Sequence, residues 1–198
     1  MEGKEKHCDN IEDIKDLLVF GEDTYYTLMI LQRRKDSGNE DMTEESKRIY
    51  LKFISTPDSL GHLENEIRTI CNSLNARAYI DLNPRSYKKF TYELGKALLF
   101  RAYQQNYYQV HRLQYKIATS EETISTRKLL TGRRWMFDVD GVEYPEKDLI
   151  IPEKILKTPS GYHVIVSSFN YKAKGLSFEK ECMPGITLKP GCLVLLYK

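Results

Sequence analysis

Asp138 and Asp140 stand two residues apart at the end of an apolar run, Arg133 to Gly141, RRWMFDVDG. In an extended chain alternate side chains share a face, so the two carboxylates point one way while Phe137 and Val139 point the other. Two like charges held side by side favour a cation between them. Mg²⁺ or Mn²⁺ suits that place, since either ion takes carboxylate and phosphate oxygens together and neutralises charge that builds during phosphoryl or nucleotidyl transfer. An Asp-Gly step is also a turn signal, so DVDG alone equally fits a polar turn closing a strand. The apolar lead-in Trp135-Met136-Phe137 favours the cation, because a buried strand that delivers two acids to its tip is costly without a counter-charge.

Two further groups of residues carry chemistry. In KTPSGYHVIVSSF, Ser160-Gly161 makes a tight turn and His163 opens an apolar strand. An imidazole there can donate to a phosphate oxygen, with Ser160 and backbone N–H groups assisting, or it can be a structural histidine. In RAYIDLNPRS, Arg85 and Ser86 follow an Asn-Pro turn at a helix start, where free backbone N–H groups favour anions. Arg85, Lys88 and Lys89 are unfavourable so near a helix N-terminus unless an anion offsets them, which points to a phosphate or a nucleic-acid strand. A capped helix with a solvated basic turn is the plainer alternative.

An apolar strand ending in Asp-x-Asp, then a small-residue turn and a His-bearing strand, resembles motifs I and II of the archaeo-eukaryotic primase superfamily, the primases and primase-polymerases. The resemblance covers about Arg133 to Lys198. It implies Asp138 and Asp140 as metal ligands, with Asp138, Asp140 and His163 as the catalytic set, and Ser160 and His163 as contacts to the incoming nucleotide's phosphates. It also implies an α+β fold: an RRM-like antiparallel sheet core with helices, accompanied by an N-terminal α/β portion. The chain departs from the family at the third motif, because ITLKPGCLVLLYK holds no Asp or Glu. Glu179, Glu181 or Asp148 substitutes only if the fold brings one of them near.

Positioning these residues requires several elements. TYYTLMILQRRKD and RIYLKFIS read as strands of a hairpin with a long polar connection. Thr56-Pro57-Asp58-Ser59 supplies helix-start chemistry before LGHLENEIRTICNSLN, whose Leu63, Ile67, Ile70 and Leu74 recur at helical spacing. ARAYIDLN reads as a strand, and one helical stretch is expected from Ser86 to about Tyr115. Its tyrosines Tyr103, Tyr107, Tyr108 and Tyr115 either pack or stack on bases. RRWMFDVD, DLIIPEKILKT, GYHVIVSSF and GCLVLLYK read as strands, with a short helix near Gly175 to Cys182. One domain is expected, with a 1–118 α/β part and a 119–198 strand-rich part carrying both motifs.

The 198 residues, 41% of them hydrophobic, suffice for a real core, and the formal charge of +2 names no partner. Distribution says more. Between Pro84 and Arg134 eleven Lys or Arg face three acids, a local +8 that leaves −6 elsewhere. On that reading Lys89, Arg127, Lys128, Arg133 and Arg134 guide single-stranded nucleic acid, while Arg85 and Lys88 hold phosphate. Cys8, Cys71, Cys182 and Cys192 show no C-x-x-C pair, so reduced thiols and a cytoplasmic setting are expected (the host cytoplasm for a viral or phage protein). No apolar stretch is long enough for a membrane span. The expected function is a metal-dependent nucleotidyltransferase of primase-polymerase type acting on nucleotides and nucleic acid. The alternatives are a non-catalytic binder on the same fold, serving a replication-type assembly, and a metal-dependent phosphodiester hydrolase.

Overall fold

A computed structural model describes residues 7–37, 44–105, 110–125, 132–145 and 150–198. The chain order is α1 (Ile11–Lys15), β1 (Thr24–Arg33), α2 (Arg34–Ser37), β2 (Ser46–Ile54), α3 (Pro57–Leu74), β3 (Arg77–Asp81), β4 (Arg85–Ser86), α4 (Tyr87–Tyr103) and α5 (Val110–Ala118). Then follow β5 (Arg134–Asp140), β6 (Lys154–Lys157), β7 (Gly161–Ser167), β8 (Glu181–Met183), β9 (Ile186–Lys189) and β10 (Leu193–Tyr197).

The expected β1–β2 hairpin is present and antiparallel, with Tyr26 opposite Ile54. It belongs to a sheet ordered β10-β3-β1-β2, with β4 paired to β1. One face of that sheet presents Tyr26, Leu28, Ile30, Ala78, Ile80 and Val194 to Ile67 and Cys71 of α3. On the other face Tyr25 meets Phe90 of α4 and Ile117 of α5. A helix period on one element and a two-residue period on its neighbour give each a single apolar face, and burying those faces drives the assembly. Helix α3 begins at Pro57, whose missing N–H costs nothing in a first turn, and ends at Asn75, which takes the left-handed conformation at φ 44°.

The second sheet has the order β6-β7-β5-β9-β8. Its strands alternate as their patterns require: Met136, Leu156 and Ile165 join the core beneath the first sheet, while Trp135, Phe137, Val139, Val164 and Val166 form a separate cluster. Loop aromatics cover that cluster, among them Phe169, Tyr171 and Phe178, edge-on or tilted around Trp135 and one another. The fold class is α+β with two antiparallel sheets, as expected, and the longer helices pack on the sheet that lacks the Asp-x-Asp strand.

The structure differs from expectation at three places. The single helix expected over Ser86–Tyr115 is two, because α4 ends at Tyr103 and Gln105 takes a left-handed φ of 54°. The short helix expected near Gly175–Cys182 is instead a 3₁₀ turn at Lys172–Lys174, followed by β8. The last apolar run divides at Pro190-Gly191. Its first half, β9, pairs with β5 in the second sheet, and its second half, β10, crosses to pair with β3 in the first.

That crossing ties the sheets together. Asn83 accepts the Arg134 N–H at Oδ1 (2.8 Å) and donates from Nδ2 to the Arg134 carbonyl (3.0 Å). Asn10 donates from Nδ2 to the carbonyls of Lys157 on β6 and Leu195 on β10, both at 2.9 Å. The bonds to Arg134 and Leu195 satisfy backbone groups in the buried interior.

Candidate metal and phosphate site

Strand β5 runs between β7 and β9, and the pairing places Asp138 opposite His163 on one side and Thr187 on the other. Glu181 of β8 lies opposite Thr187. A row of side chains, His163, Asp138, Thr187 and Glu181, therefore crosses one face of the sheet. Asp140 continues the Asp138 face and is exposed at the strand tip, opposite Gly161.

Two glycines hold that tip. A Cβ on Gly161 would stand 1.9 Å from the Val139 carbonyl oxygen, and one on Gly185, at φ +75°, would stand 2.6 Å from the Asp140 carbonyl oxygen. The backbone itself is bonded on both sides, Asp140 N–H to the Gly185 carbonyl (2.8 Å) and Gly141 N–H to the Ser160 carbonyl (3.0 Å). Ser160 then donates its hydroxyl to Asp140 Oδ1 at 2.6 Å, which orients one carboxylate. Thus Asp140 and the Ser-Gly turn, separated in sequence, meet at the tip of the strand.

His163 is placed with them but faces inward. It is only 8% exposed, and its Nδ1 accepts the Leu195 N–H of the other sheet at 3.0 Å. The ladder between β10 and β3 slips between Leu195 and Tyr197. Strand β10 is the edge of its sheet, so the Leu195 N–H points away from β3 and the imidazole takes it. Nε2 then carries the ring proton and points toward Asp138 Oδ1, 3.7 Å away. Burial pushes the imidazole down to about 4, against a weaker upward pull from Asp140, so it is neutral near pH 7. A neutral, buried imidazole with its Nδ1 engaged in a sheet-to-sheet bond does not grip a phosphate from solvent; its position serves Asp138.

The tip borders a cleft of about 530 Å³. His7 and Cys8, the Gly141–Glu143 loop and the Lys157–Tyr162 hairpin line it. Lys157 is its exposed cation, and Val142 and Tyr162 give it apolar walls. His7, Val142, Lys157 and Tyr162 were missed by sequence reasoning, as was Thr187. Only the Pro184-Gly185 step could have flagged the β8–β9 turn.

The third acid is resolved in part. Glu181 shares the row with Asp138 but is two strands away, about 10 Å by strand spacing, and its Oε1 accepts the Gly185 N–H at 2.5 Å. Glu179 pairs with Lys189 at 2.6 Å, and Asp148 lies outside the described residues. Among the described residues no group of three or more His, Cys, Asp or Glu side chains converges as a metal cluster. Asp138 and Asp140 remain a hard-oxygen pair of the kind that Mg²⁺ accepts when substrate phosphates and water complete its shell.

The basic residues fall elsewhere. Arg85 is buried, donating from Nη2 to Asp81 (2.6 Å) and from Nη1 to Thr123 Oγ1 (2.8 Å) and the Ser120 carbonyl. At the N-terminus of α4 the anion is the protein's own Asp23, which accepts the Lys88 N–H at 2.9 Å and the Ser86 hydroxyl at 2.6 Å. The counter-charge that the cation cluster demanded is therefore internal. Lys89 donates to the Ile124 carbonyl (2.8 Å), while the Lys88 side chain is exposed. Arg134 is buried against Glu153 (2.7 Å) and the Leu17 carbonyl (2.9 Å). Arg133, on the surface, pairs with Glu121 at 2.6 Å. Arg127 and Lys128 lie outside the described residues.

Fold and site together define an α+β protein whose Asp-x-Asp strand ends beside a cleft lined by Gly141, Ser160 and Gly161. No protein-family model matches the sequence, and no curated protein and no solved structure matches it. Cys71, Cys182 and Cys192 are free thiols, and among the described residues no helix is long and apolar enough to cross a membrane.

Proposed function

We propose that this chain binds a phosphate-bearing nucleotide through a divalent cation held by Asp138 and Asp140, on a scaffold of primase-polymerase type. The observation that carries the reading is the Asp140–Ser160 hydrogen bond, which joins the Asp-x-Asp tip to the Ser-Gly turn beside a 530 Å³ cleft. The donor set fits Mg²⁺ or Mn²⁺, being carboxylate oxygen alone, and bound there such an ion supplies charge neutralisation for phosphate oxygens. Asp138 and Asp140 hold the ion, and Ser160 fixes the orientation of Asp140. His163 stands beside Asp138, its Nε2 3.7 Å from Oδ1, and Lys157 offers a cation to the ligand's outer phosphates. Nucleotidyl transfer is the reaction this arrangement would serve.

The position of Glu181 favours a second reading, a nucleotide binder without catalysis, because two carboxylates alone support one ion and leave a second without a protein ligand. Calorimetry of MnCl₂ and then ATP into the wild type and into Asp138→Asn/Asp140→Asn tests binding. Unchanged heats and affinities in the double variant refute the site. Primer extension on a single-stranded template with Mn²⁺ separates the two readings, since a binder adds no nucleotide.

A further inference from the structure

A second surface, remote from the carboxylate pair, carries cations that have no ion pair among the described residues. Strand β2 is an edge of its sheet, three strand spacings from β10, or about 14 Å. Its sequence, SKRIYLKFI, contains Lys47, Arg48 and Lys52 and no acid. Helix α5, VHRLQYKIA, contains Arg112 and Lys116 and no acid. The two elements meet where the Arg48 guanidinium lies over the Tyr115 ring, 3.3 Å from its centroid. Between them is a cleft of about 410 Å³ lined by Arg48, Leu51, Lys52, Phe53, Gln114 and Tyr115, with no carboxylate among the lining residues.

Lysines on an edge strand are a common guard against strand pairing, and Lys47 and Lys52 alone would mean no more than that. Arg48 is different. A register shift opposite Ile30 and Leu31 places it across from Leu31, on the α5 face, while Lys52 faces the other way opposite Leu28. Among the described residues none of the five cations has an ion pair. Elsewhere the protein neutralises its arginines carefully: Arg77 with Asp36, Arg85 with Asp81, Arg134 with Glu153. Here an arginine is ordered by an aromatic ring instead, which fixes its plane, and among the described residues no carboxylate pairs with it.

We infer that the β2–α5 surface binds single-stranded nucleic acid, with Arg48, Arg112 and Lys116 on the phosphates and Tyr115 and Phe53 as the aromatic floor. Arg48, Arg112 and Lys116, beside rings at the mouth of a cleft and with no acid within β2 or α5, are the combination that holds a flexible polyanion whose bases have stacking faces. The surface gives the nucleic-acid part of the function proposed above a location, and rests on that reading only to that extent. Because it uses neither Asp138 nor Asp140, it anchors a strand without needing a divalent cation.

The test is fluorescence anisotropy of the full chain with a fluorescein-labelled oligothymidylate of about 20 nucleotides, in EDTA, over a range of NaCl concentrations. Release of counterions by three to five contacts gives a slope of log K against log salt of about −2 to −3.5. Arg112→Glu/Lys116→Glu, at exposed positions, should weaken binding at least about tenfold and reduce the slope by about 1.4. Arg48→Gln should weaken it severalfold with Tyr115 intact. Lys47→Glu/Lys52→Glu provides a second pair on the other element. Wild-type affinity and slope in both charge-reversed pairs, each with a cooperative thermal transition, overturn the inference. So does equal displacement of the probe by polyglutamate at matched charge, which would assign the surface to an acidic polypeptide. Working in EDTA keeps this result separate from failure of the Asp138–Asp140 site, which only the Mn²⁺ titration reads.

Discussion

His163 links the two sheets by accepting the Leu195 N–H at 3.0 Å, and from the same ring its Nε2 faces Asp138 at 3.7 Å. One imidazole on β7 thus joins edge strand β10 to the sheet that carries the Asp-x-Asp strand. A proton added to Nδ1 removes the acceptor that holds Leu195, so the connection depends on the neutral ring.

The first prediction concerns pH. In the unfolded chain the imidazole titrates near 6.5, while burial lowers it to about 4 in the folded protein. Between those values the unfolded state binds a proton that the folded state does not, so stability rises with pH across the window. This contribution is fully present above pH 6.5 and is lost as pH falls through about 4, with an upper size of about 3 kcal/mol. Urea unfolding from pH 7.5 to 4 should show it. His163→Asn, whose amide oxygen can still accept a hydrogen bond, should have a flatter profile over the same interval; an unchanged difference between pH 7 and 4.5 would contradict the assignment.

A second prediction concerns the glycines around Asp140. Gly161→Ala drives a Cβ to within 1.9 Å of the Val139 carbonyl, a backbone atom that cannot swing aside. It should cost about 3 kcal/mol or more. Gly185→Ala combines a positive φ with a 2.6 Å approach to the Asp140 carbonyl and should cost about 2 kcal/mol. Gly95→Ala, in α4 with open space at the Cβ, should instead stabilise by up to about 1 kcal/mol. Thermal denaturation of the three variants gives the order directly.

Charge and orientation at the tip should separate. Asp140→Asn keeps an oxygen for the Ser160 hydroxyl but removes the charge, and Mn²⁺ affinity should fall beyond calorimetric detection. Ser160→Ala keeps the charge and loses the 2.6 Å bond, so affinity should drop only about tenfold. Equal losses in both would show that Ser160 does more than orient.

Arg85 offers a contrast between stability and binding. Its guanidinium bridges Asp81, Thr123 and the Ser120 carbonyl inside the protein, so Asp81→Ala, which leaves that charge buried and unpaired, should destabilise by about 3 to 5 kcal/mol. At temperatures where the variant remains folded, nucleotide affinity should match the wild type. A selective loss of nucleotide binding would return Arg85 to the ligand site.

Much of the scaffold was legible because its periodicities are local. Leu63, Ile67 and Ile70 announced α3, and the alternation in RRWMFDVD announced β5 and put both aspartates on one face. The helix break after Tyr103 left no such mark, since no Gly or Pro stands there and Gln105 takes an uncommon left-handed conformation. Arg85 and Arg134 looked available for phosphate because residue type and spacing carry no information about Asp81 or Glu153, which reach them only through the fold.

Composition, alternation and the Asp-x-Asp spacing determined an α+β protein with two carboxylates on one strand face, because those features depend on backbone geometry within a few residues. The tertiary structure alone decided which groups meet them. It brought Ser160 to Asp140 through the β5–β7 register, turned His163 inward onto Leu195, held Glu181 two strands away, and filled the α4 N-terminus with Asp23. It also set β2 against α5, where Arg48 meets the Tyr115 ring beside a cleft. Pairing register and the competition among buried charges for partners act between distant segments, and for that reason no reading along the chain could supply them.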